Sequence, residues 1–160
     1  MAGQESISVT IGECIATFTY PLSGDSVVFA GDTFYQENDL LGAITLDADR
    51  AERFKSADGS RDVTIDNMNR AGEREITFLL GSDLDKIKNH AQKRIQDKFD
   101  LDFYYKYNTQ SAEGARIHRH KRCFMKDLPI QAIGKDQGYV TCKISFGDVA
   151  EVNPATGKEI

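Results

Sequence analysis

Residues 99–107, FDLDFYYKY, alternate between two kinds of side chain over their whole length. The odd-numbered positions are all apolar or aromatic: Phe99, Leu101, Phe103, Tyr105 and Tyr107. The even-numbered positions are mostly polar: Asp100, Asp102, Tyr104 and Lys106. Successive side chains of a β-strand point to opposite faces of a sheet, so this alternation is typical of a half-buried strand. The stretch therefore predicts a strand with one apolar and one polar face.

The same alternation recurs through most of the chain. It predicts further strands in residues 6–11, 14–20, 26–31, 44–46, 63–65, 73–80, 116–126 and 140–146. Pro21 and the Ser-Gly-Asp run that follows it closely break the pattern, as a hairpin turn does. The predicted fold class is α+β and mainly β: an antiparallel β-sandwich or barrel of roughly seven strands.

One segment follows a helical rather than a strand period. Gly81 ends a predicted strand, and Ser82 can then cap a helix, with Asp85 three residues later as its capping-box partner. The apolar residues that follow form a single stripe at helical spacing: Leu84, Ile87, Ala91 and Ile95. A single stripe predicts one α-helix packed on the outside of the β-structure.

The composition is that of a soluble globular domain of 160 residues, 40% hydrophobic and 28% charged. This length suits a single domain, which we take to span residues 1–160 with a loose polar tail at about 151–160. The sequence has no run of eighteen apolar residues, and its start lacks the basic and apolar blocks of a signal peptide. We expect the protein to have no membrane anchor and to stay in the cytoplasm, or to be built into something assembled there.

Charge is distributed unevenly along the chain. Residues 1–49 contain eight acids and no Lys or Arg, whereas the rest holds 20 bases and 17 acids, a balance of +3. The densest basic run is RIHRHKRC, residues 116–123, within a predicted strand. An acidic region and a basic strand on one chain can attract each other between copies, which steers association and fixes register. The alternative is that both are solvated faces.

Metal and nucleic-acid binding are weaker interpretations of the same basic run. On a strand, His118 and His120 share a face, but Cys123 has the opposite parity and the remaining histidine, His90, lies on the predicted helix. Zinc needs three or four protein ligands, and the neighbouring Arg and Lys side chains repel a cation. The chain is acidic, with a pI of about 5.2, and has no RNA-binding or helix-turn-helix signature. We expect no metal, no cofactor and no specific nucleic-acid binding.

Catalytic motifs are missing from the sequence, which contains no GxSxG, Walker loop, GxGxxG or HExxH. Asp100 and Asp102 are paired carboxylates on one strand face, but their spacing suits an acid/base pair poorly without a cleft around them, and the alternative is a solvated strand face. Cys123 stands among basic residues that could lower its pKa. Three cysteines in a chain without an export signal are typical of reduced thiols. We expect a protein that is not an enzyme.

The segment AITLDADRAERFKSADGSRDVTIDN, residues 43–67, has strand-like ends around a long polar middle. Asp58 and Gly59 within it form a tight-turn signal. Ordered loops of this length are uncommon and usually functional. We therefore interpret the segment as a long hairpin with a projecting tip.

Three stretches give the chain a resemblance to a known family. They are residues 43–67, quoted above; residues 72–92, GEREITFLLGSDLDKIKNHAQ, a strand running through Gly-Ser into a short helix; and residues 122–149, RCFMKDLPIQAIGKDQGYVTCKISFGDV, two strands joined by a Gly-containing turn. In pattern and order, the chain resembles the tail tube proteins of contractile-tailed (myovirus-type) bacteriophages. The match covers most of residues 42–149 and includes no invariant catalytic motif.

The resemblance implies a structural virion protein. Members of that family form hexameric rings whose sheets join into one inner barrel, and the rings stack into a hollow tube inside the contractile sheath. The implied partners are further copies of the chain, the tail sheath protein, the tape-measure protein, the baseplate and the tail terminator. DNA is expected to pass through the lumen without specific binding. The implied location is the phage tail, assembled in the host bacterial cytoplasm.

The resemblance also implies roles for particular residues. The long hairpin of such proteins reaches a neighbouring ring or subunit, and by position it maps onto residues 47–62. The candidate contacts there are Asp47, Asp49, Arg50, Arg53, Phe54, Lys55, Asp58 and Arg61. Lumens in the family tend to be acidic, and phosphates repelled by a wall do not stick to it; Asp100 and Asp102 are the candidate lumen acids.

The basic strand is the second predicted assembly surface. Its candidate residues are Arg116, His118, Arg119, His120, Lys121 and Arg122. We expect its basic face to meet an acidic surface on another copy or on the sheath.

Two alternatives stay open at this point. The same fold serves tail terminators and the baseplate adaptors that initiate the tube, and such a protein would stop at a single ring. The alternative from a different class is a cytosolic β-barrel protein that binds a ligand or metal. Bound zinc in the purified protein would favour that second alternative.

Overall fold

The computed structural model describes residues 11–34, 40–81, 85, 86, 88, 98–107, 114–130 and 138–160. Residues 6–10 of the first predicted strand lie outside the described residues. Most of the predicted helix lies outside them as well, although Asp85, Lys86 and Lys88 within it are helical. The packing of that helix on the β-structure stays a prediction.

The described residues form strands at nearly all the predicted places. In chain order these are β1 Ile11–Tyr20, β2 Asp25–Ala30, β3 Thr45–Leu46, β4 Ala51–Lys55, β5 Asp62–Asp66, β6 Gly72–Leu79, β7 Phe99–Tyr107, β8 Arg116–Met125, β9 Tyr139–Phe146, β10 Asp148–Asn153 and β11 Lys158–Glu159. A short 3-10 helix, Gly31–Thr33, follows β2. A mainly β fold, as predicted, is confirmed.

The strands of the body form two antiparallel sheets that share one strand. The first sheet runs β2-β1-β7-β8-β10-β11 and the second runs β8-β9-β6-β3. β8 belongs to both sheets, because its first part pairs with β7 and β10 while its end pairs with β9. Gly147 alone separates β9 from β10 and marks the point where the chain passes from the second sheet back to the first.

A bulge in β8 lets this strand turn from one sheet to the other. Leu101 pairs with His120, but two residues earlier on β7, Phe99 pairs with Cys123, three residues further along β8. Within that interval Arg122 has a left-handed backbone with φ 56°. An extra residue reverses the side-chain parity beyond it. Cys123 is therefore buried on the inner face like His120, and the prediction that they point to opposite sides is wrong.

The core lies between the two sheets and is rich in aromatic side chains. The ring of Phe34 lies 5.9 Å from that of Phe78 on the second sheet and 5.4 Å from that of Phe103 on the first. Such aromatic pairs add about 0.5–1.5 kcal/mol each beyond the burial of their area. Phe99, Leu101 and Phe103 are all buried, which confirms the predicted apolar face of β7.

The C-terminal tail differs from the prediction that it is loose. β10 continues to Asn153, and after a turn β11 pairs back against it, with Val152 buried. Arg70, which is not part of the β10–β11 hairpin, forms ion pairs with both of its strands. Its guanidinium lies 2.9 Å from an Asp148 carboxylate oxygen and 3.4 Å from a Glu159 oxygen. A hairpin at the edge of a sheet needs few buried side chains. Its sequence can therefore be polar, and the polar composition did not indicate this strand pair.

The predicted projecting hairpin is present. β4 and β5 form a two-stranded sheet of their own, and every residue from 43 to 68 is exposed. Residues 40–47, the base segment, connect it to the body along the edge of β6. In the base segment Leu41 bridges to Ile76, Gly42 donates its N–H to the Glu75 carbonyl oxygen at 2.8 Å, and β3 pairs with the start of β6.

Gly72→Ala is expected to displace the base segment, because an added Cβ would lie 2.4 Å from the Thr45 carbonyl oxygen and 3.0 Å from Leu46 Cα. Both are backbone atoms, and overpacking of this kind costs about 1–3 kcal/mol. Urea denaturation should show that loss in the free energy of unfolding.

The matched control is Gly42→Ala in the base segment itself. Its added Cβ would make ordinary contacts of 3.5 to 3.6 Å with Glu75, so stability should stay within about 0.5 kcal/mol of wild type. Equal stability of the two variants would show that β3 does not pair closely with β6.

Candidate functional site

The projecting hairpin has one largely apolar face. Phe54 pairs with Val63 across the two strands, and Ile65 lies two residues further along the same side, paired with Glu52. Phe54, Val63 and Ile65 are 51%, 45% and 50% exposed. The opposite face carries mainly charged and hydroxyl side chains: Arg53, Lys55, Asp62, Thr64 and Asp66. An exposed apolar cluster edged by polar residues is typical of a surface that binds another protein.

Asp58 closes the tip of the hairpin. Its Oδ1 accepts hydrogen bonds from Ser56 Oγ at 2.7 Å, from Ser60 Oγ at 2.7 Å and from the Ser60 N–H at 3.0 Å. Gly59 takes the left-handed φ of 75° that the turn requires. The hydrogen bonds, those from Ser60 first, lower the pKa of Asp58 to about 2. The tip is thus a preformed turn with a charged carboxylate at neutral pH.

Two asparagine side chains join the strands at the base of the hairpin. Asn69 Nδ2 donates to the Ala48 carbonyl oxygen at 2.7 Å, and Asn67 Nδ2 donates to that of Asp49 at 3.2 Å. Next to them, Arg70 donates from Nε to the Val149 carbonyl oxygen of β10 at 2.8 Å. The two asparagine bonds close the base of the hairpin, and the Arg70 bond connects that base to β10 of the body.

All the predicted hairpin contacts lie on this exposed element: Asp47, Asp49, Arg50, Arg53, Phe54, Lys55, Asp58 and Arg61. Of these, Phe54 belongs to the apolar face, whereas Arg53 and Lys55 lie on the charged one. Sequence reasoning missed Val63 and Ile65 as contact residues. Whether Val63 and Ile65 lie on the same face of the hairpin as Phe54 depends on how the two strands pair, and the turn at the tip sets that register.

A polar cluster lies inside the body around Arg74 of β6, which is only 7% exposed. Arg74 Nη1 lies 3.1 Å from His118 Nδ1 and 3.2 Å from His120 Nε2. Its Nε and Nη2 donate to the Gly42 carbonyl oxygen at 2.9 and 2.6 Å. A guanidinium has donors and no acceptor, so both imidazole nitrogens must accept.

This requirement fixes the tautomers of both histidines. His118 carries its proton on Nε2, 3.2 Å from Tyr105 Oη, and His120 carries its proton on Nδ1, which donates to the Leu101 carbonyl oxygen at 3.1 Å. Burial, and after it the charge of Arg74, lowers the pKa of both histidines, that of His120 to about 4. Burial also lowers the pKa of Arg74 to about 10. At neutral pH the cluster is one cation held by neutral acceptors.

Sequence reasoning missed Arg74, although the sequence carries a signal for it. In the stretch EREITFLL, Arg74 has the same strand parity as Ile76 and Phe78. A charged residue on the apolar face of a predicted strand must find partners inside the fold. The histidines of the basic run are those partners.

Part of the predicted basic strand therefore faces inward. His120 is fully buried, so the prediction that it belongs to the assembly surface is wrong. His118 is half-buried, and its contact with another copy stays a prediction. Arg119 points outward, and its Nε lies 3.2 Å from an Asp102 carboxylate oxygen on β7. Contact of Arg119 with another copy stays a prediction.

Arg122 lies beside the second candidate lumen acid, Asp100, whereas Arg116 lies on the same side of β8 as His118. The Arg122 backbone N–H donates to Asp100 Oδ1 at 3.2 Å, and Lys121 and Arg122 are exposed. Arg116 Nε lies 3.9 Å from a carboxylate oxygen of Glu151. The candidate lumen acids thus share a surface with bases of their own chain, and their position in a lumen stays a prediction.

The chemistry of metals and thiols is restricted by the same packing. Within the described ranges, no group of three His, Cys, Asp or Glu side chains is arranged to hold a metal ion. Cys14, Cys123 and Cys142 are buried free thiols. Burial raises the pKa of Cys123 to about 12, so the expectation that its basic neighbours lower the pKa is wrong.

In the part of the chain that the structure describes, no helix is long and apolar enough to cross a membrane.

Comparison with known proteins finds chains of similar structure. Neither a protein-family model nor a curated protein matches the sequence. A chain of the anti-feeding prophage (AFP) baseplate, solved by cryo-EM and 6-fold symmetrised, is similar with a TM-score of 0.49 at 12% sequence identity, over 95% of this chain and 98% of that one. At this identity and TM-score, the similarity does not define what the chain does.

Arg74→Lys is expected to lower the free energy of unfolding by about 2–4 kcal/mol. A lysine ammonium cannot reach the Gly42 carbonyl and both imidazoles together, and each hydrogen bond to a charged group contributes about 1.5–3 kcal/mol. Urea denaturation at neutral pH measures the loss.

Arg53→Lys, on the exposed hairpin, is the matched control. Arg53 makes a surface ion pair with Asp62 at 3.4 Å, and such pairs contribute about 0–1 kcal/mol. Equal effects of the two substitutions would contradict the clustered arrangement around Arg74.

Proposed function

We propose that this chain is a structural protein of a contractile tail, which forms hexameric rings that stack into the hollow inner tail tube through which DNA is ejected. The observation that carries the proposal is the anchored hairpin, whose apolar face of Phe54, Val63 and Ile65 lies in solvent. The resemblance of residues 42–149 to tail tube proteins supports the same role and supplies the hexameric ring and the tube.

An isolated hairpin is only marginally stable. A two-stranded ribbon buries too little surface to be stable alone in water. Here the turn at Asp58 and the anchors at Asn67 and Asn69 hold it at both ends. Its apolar face is left to be covered by a second molecule, and full burial of one large apolar side chain contributes roughly 1.5–3 kcal/mol.

The proposed occupant of that face is a neighbouring copy of the same chain. A hairpin that reaches from one copy to a different surface of the next makes a heterologous contact, and such contacts generate rings or open tubes. Each copy then both gives and receives a hairpin. The small favourable free energy of each contact between copies is repeated throughout the assembly.

The remaining partners and the location follow from the same proposal. The tail sheath would surround the tube, the baseplate and the terminator would stand at its ends, and the tape-measure protein and DNA would occupy the lumen. The chain would be assembled in the host bacterial cytoplasm and remain in the virion tail. The proposed role is not enzymatic and uses no metal, cofactor, membrane anchor or specific DNA contact. A tail terminator or tube initiator of the same fold would be distinguished by closed single rings.

The triple variant Phe54→Thr, Val63→Thr, Ile65→Thr is expected to stay folded but to lose assembly. Threonine preserves the strand propensity and removes most of the apolar surface. Loss of even one buried contact should raise the concentration needed for assembly about tenfold or more, since 1.4 kcal/mol is about a factor of ten. Sedimentation velocity and negative-stain electron microscopy measure assembly, and urea denaturation checks the fold.

Leu22→Thr is the control for a general loss of exposed apolar surface. Leu22 is 81% exposed but lies in the turn between β1 and β2, and its replacement should leave assembly unchanged. Normal assembly of the triple variant would show that the hairpin face is not an interface.

The basic face of β8 generates a separate prediction. Arg119→Glu with Arg122→Glu should block assembly while the chain stays folded, because the ion pair of Arg119 with Asp102 is on the surface and contributes about 0–1 kcal/mol. Adding Asp102→Arg restores an ion pair inside the chain and separates folding from assembly. Normal tubes from the Arg119 and Arg122 double variant would remove this strand from the interface.

A further inference from the structure

Arg74 ties together three separate parts of the chain. The residue lies on β6, its two imidazole acceptors lie on β8, and Gly42 lies in the base segment. Gly42 is held a second time through its N–H, which donates to the Glu75 carbonyl oxygen at 2.8 Å. The guanidinium is therefore a link between the body and the base of the hairpin.

This link requires both imidazoles to be neutral. Protonation of His118 would place an N–H on Nδ1, 3.1 Å from Arg74 Nη1, and protonation of His120 would do the same at Nε2, 3.2 Å away. In either case two donors and two positive charges would face each other in place of a hydrogen bond.

The charged groups that face the cluster from neighbouring strands offer little compensation. β7 contributes the phenols of Tyr105 and Tyr107, and β8 contributes a further cation, Arg116. β10 contributes one carboxylate, Glu151, which pairs in register with His118 and favours its protonated form. Glu151 is partly engaged already, since it lies 3.9 Å from Arg116.

The acids of the base segment and of β6 are directed elsewhere. Asp47 and Glu73 both interact with Lys126, which raises the pKa of that lysine. Glu75 is exposed on the outer face of β6. A proton taken up by the cluster would thus receive no ion pair from these elements.

We propose that Arg74, His118 and His120 form an acid-sensitive clamp. With both imidazoles neutral, the clamp holds the base segment against the body; with either imidazole protonated, it releases that segment and the hairpin attached to it. This inference goes beyond the assembly role and concerns the single chain, so it is tested without assembly.

The direction of titration agrees with the geometry. The clamped state lowers the pKa of both histidines below the ordinary 6.5, that of His120 to about 4, so the released state binds protons more readily. The clamp is fully closed above the ordinary value and weakens as pH falls through the window down to about 4. Each histidine changes the opening equilibrium by up to about tenfold per pH unit in that window.

Hydrogen exchange of the unassembled wild-type chain tests the clamp. Exchange is followed by mass spectrometry at about pH 7.5, 6 and 5 and corrected for the intrinsic rate. The amides of Gly42 and Asp47, which donate to Glu75 and Ala71, should lose protection about tenfold or more between the two lower values, while β1 and β7 keep theirs. Equal protection of the base segment at all three values would overturn the proposal.

A double variant removes the titrating groups and keeps the acceptors. His118→Asn with His120→Gln places two amide oxygens near Arg74 Nη1, where the imidazole nitrogens were, and should keep the base segment protected in acid. His90→Gln, the matched change at the remaining histidine, should respond to acid like wild type. A double variant that still responds like wild type would show that another group causes the release.

Ring-nitrogen NMR of the wild-type chain gives a second test that needs no substitution. At neutral pH the two rings should show opposite tautomers, the Nε2–H form for His118 and the Nδ1–H form for His120. Their titration should coincide with the loss of protection at Gly42. Loss of protection at a pH where neither ring titrates would overturn the proposal.

Discussion

The buried guanidinium of Arg74 is the constraint on which the rest of the structure depends. A cation removed from water is very costly unless its donors are satisfied. Arg74 meets this requirement with the Gly42 carbonyl and two imidazoles, at distances of 2.6 to 3.2 Å. The sheets must bring His118 and His120 to the same side of β8, and the base segment must cross the edge of β6. Arg74 thereby contributes to the junction between the body and its hairpin, where β3 and Leu41 also pair with β6.

The exposed face of the hairpin is the feature that connects the fold to the proposed function. The body buries most of its described aromatic side chains, whereas the hairpin presents Phe54, Val63 and Ile65 to solvent from an anchored base. An anchored element loses less conformational freedom on binding than a loose loop does. The arrangement suits repeated contact between copies.

Much of the fold could be predicted from the sequence, because strand periodicity is strong in stretches such as FDLDFYYKY. The long exposed hairpin was predictable as well, since its polar middle carries the turn at Asp58 and Gly59. The side on which Cys123 lies was not predictable, because one left-handed residue, Arg122, inserts a bulge and reverses the parity. The histidines were assigned to a surface because composition alone does not show that Arg74, distant in sequence, needs their nitrogens.

The central claim is that this chain assembles with copies of itself, and negative-stain electron microscopy of the purified wild-type chain tests it most directly. The chain would be imaged at low and high concentration, with and without a baseplate seed. The account predicts hollow rings with six copies, or tubes built from them, that become more abundant as concentration rises. Monomeric particles under every condition, including with the seed, would contradict it.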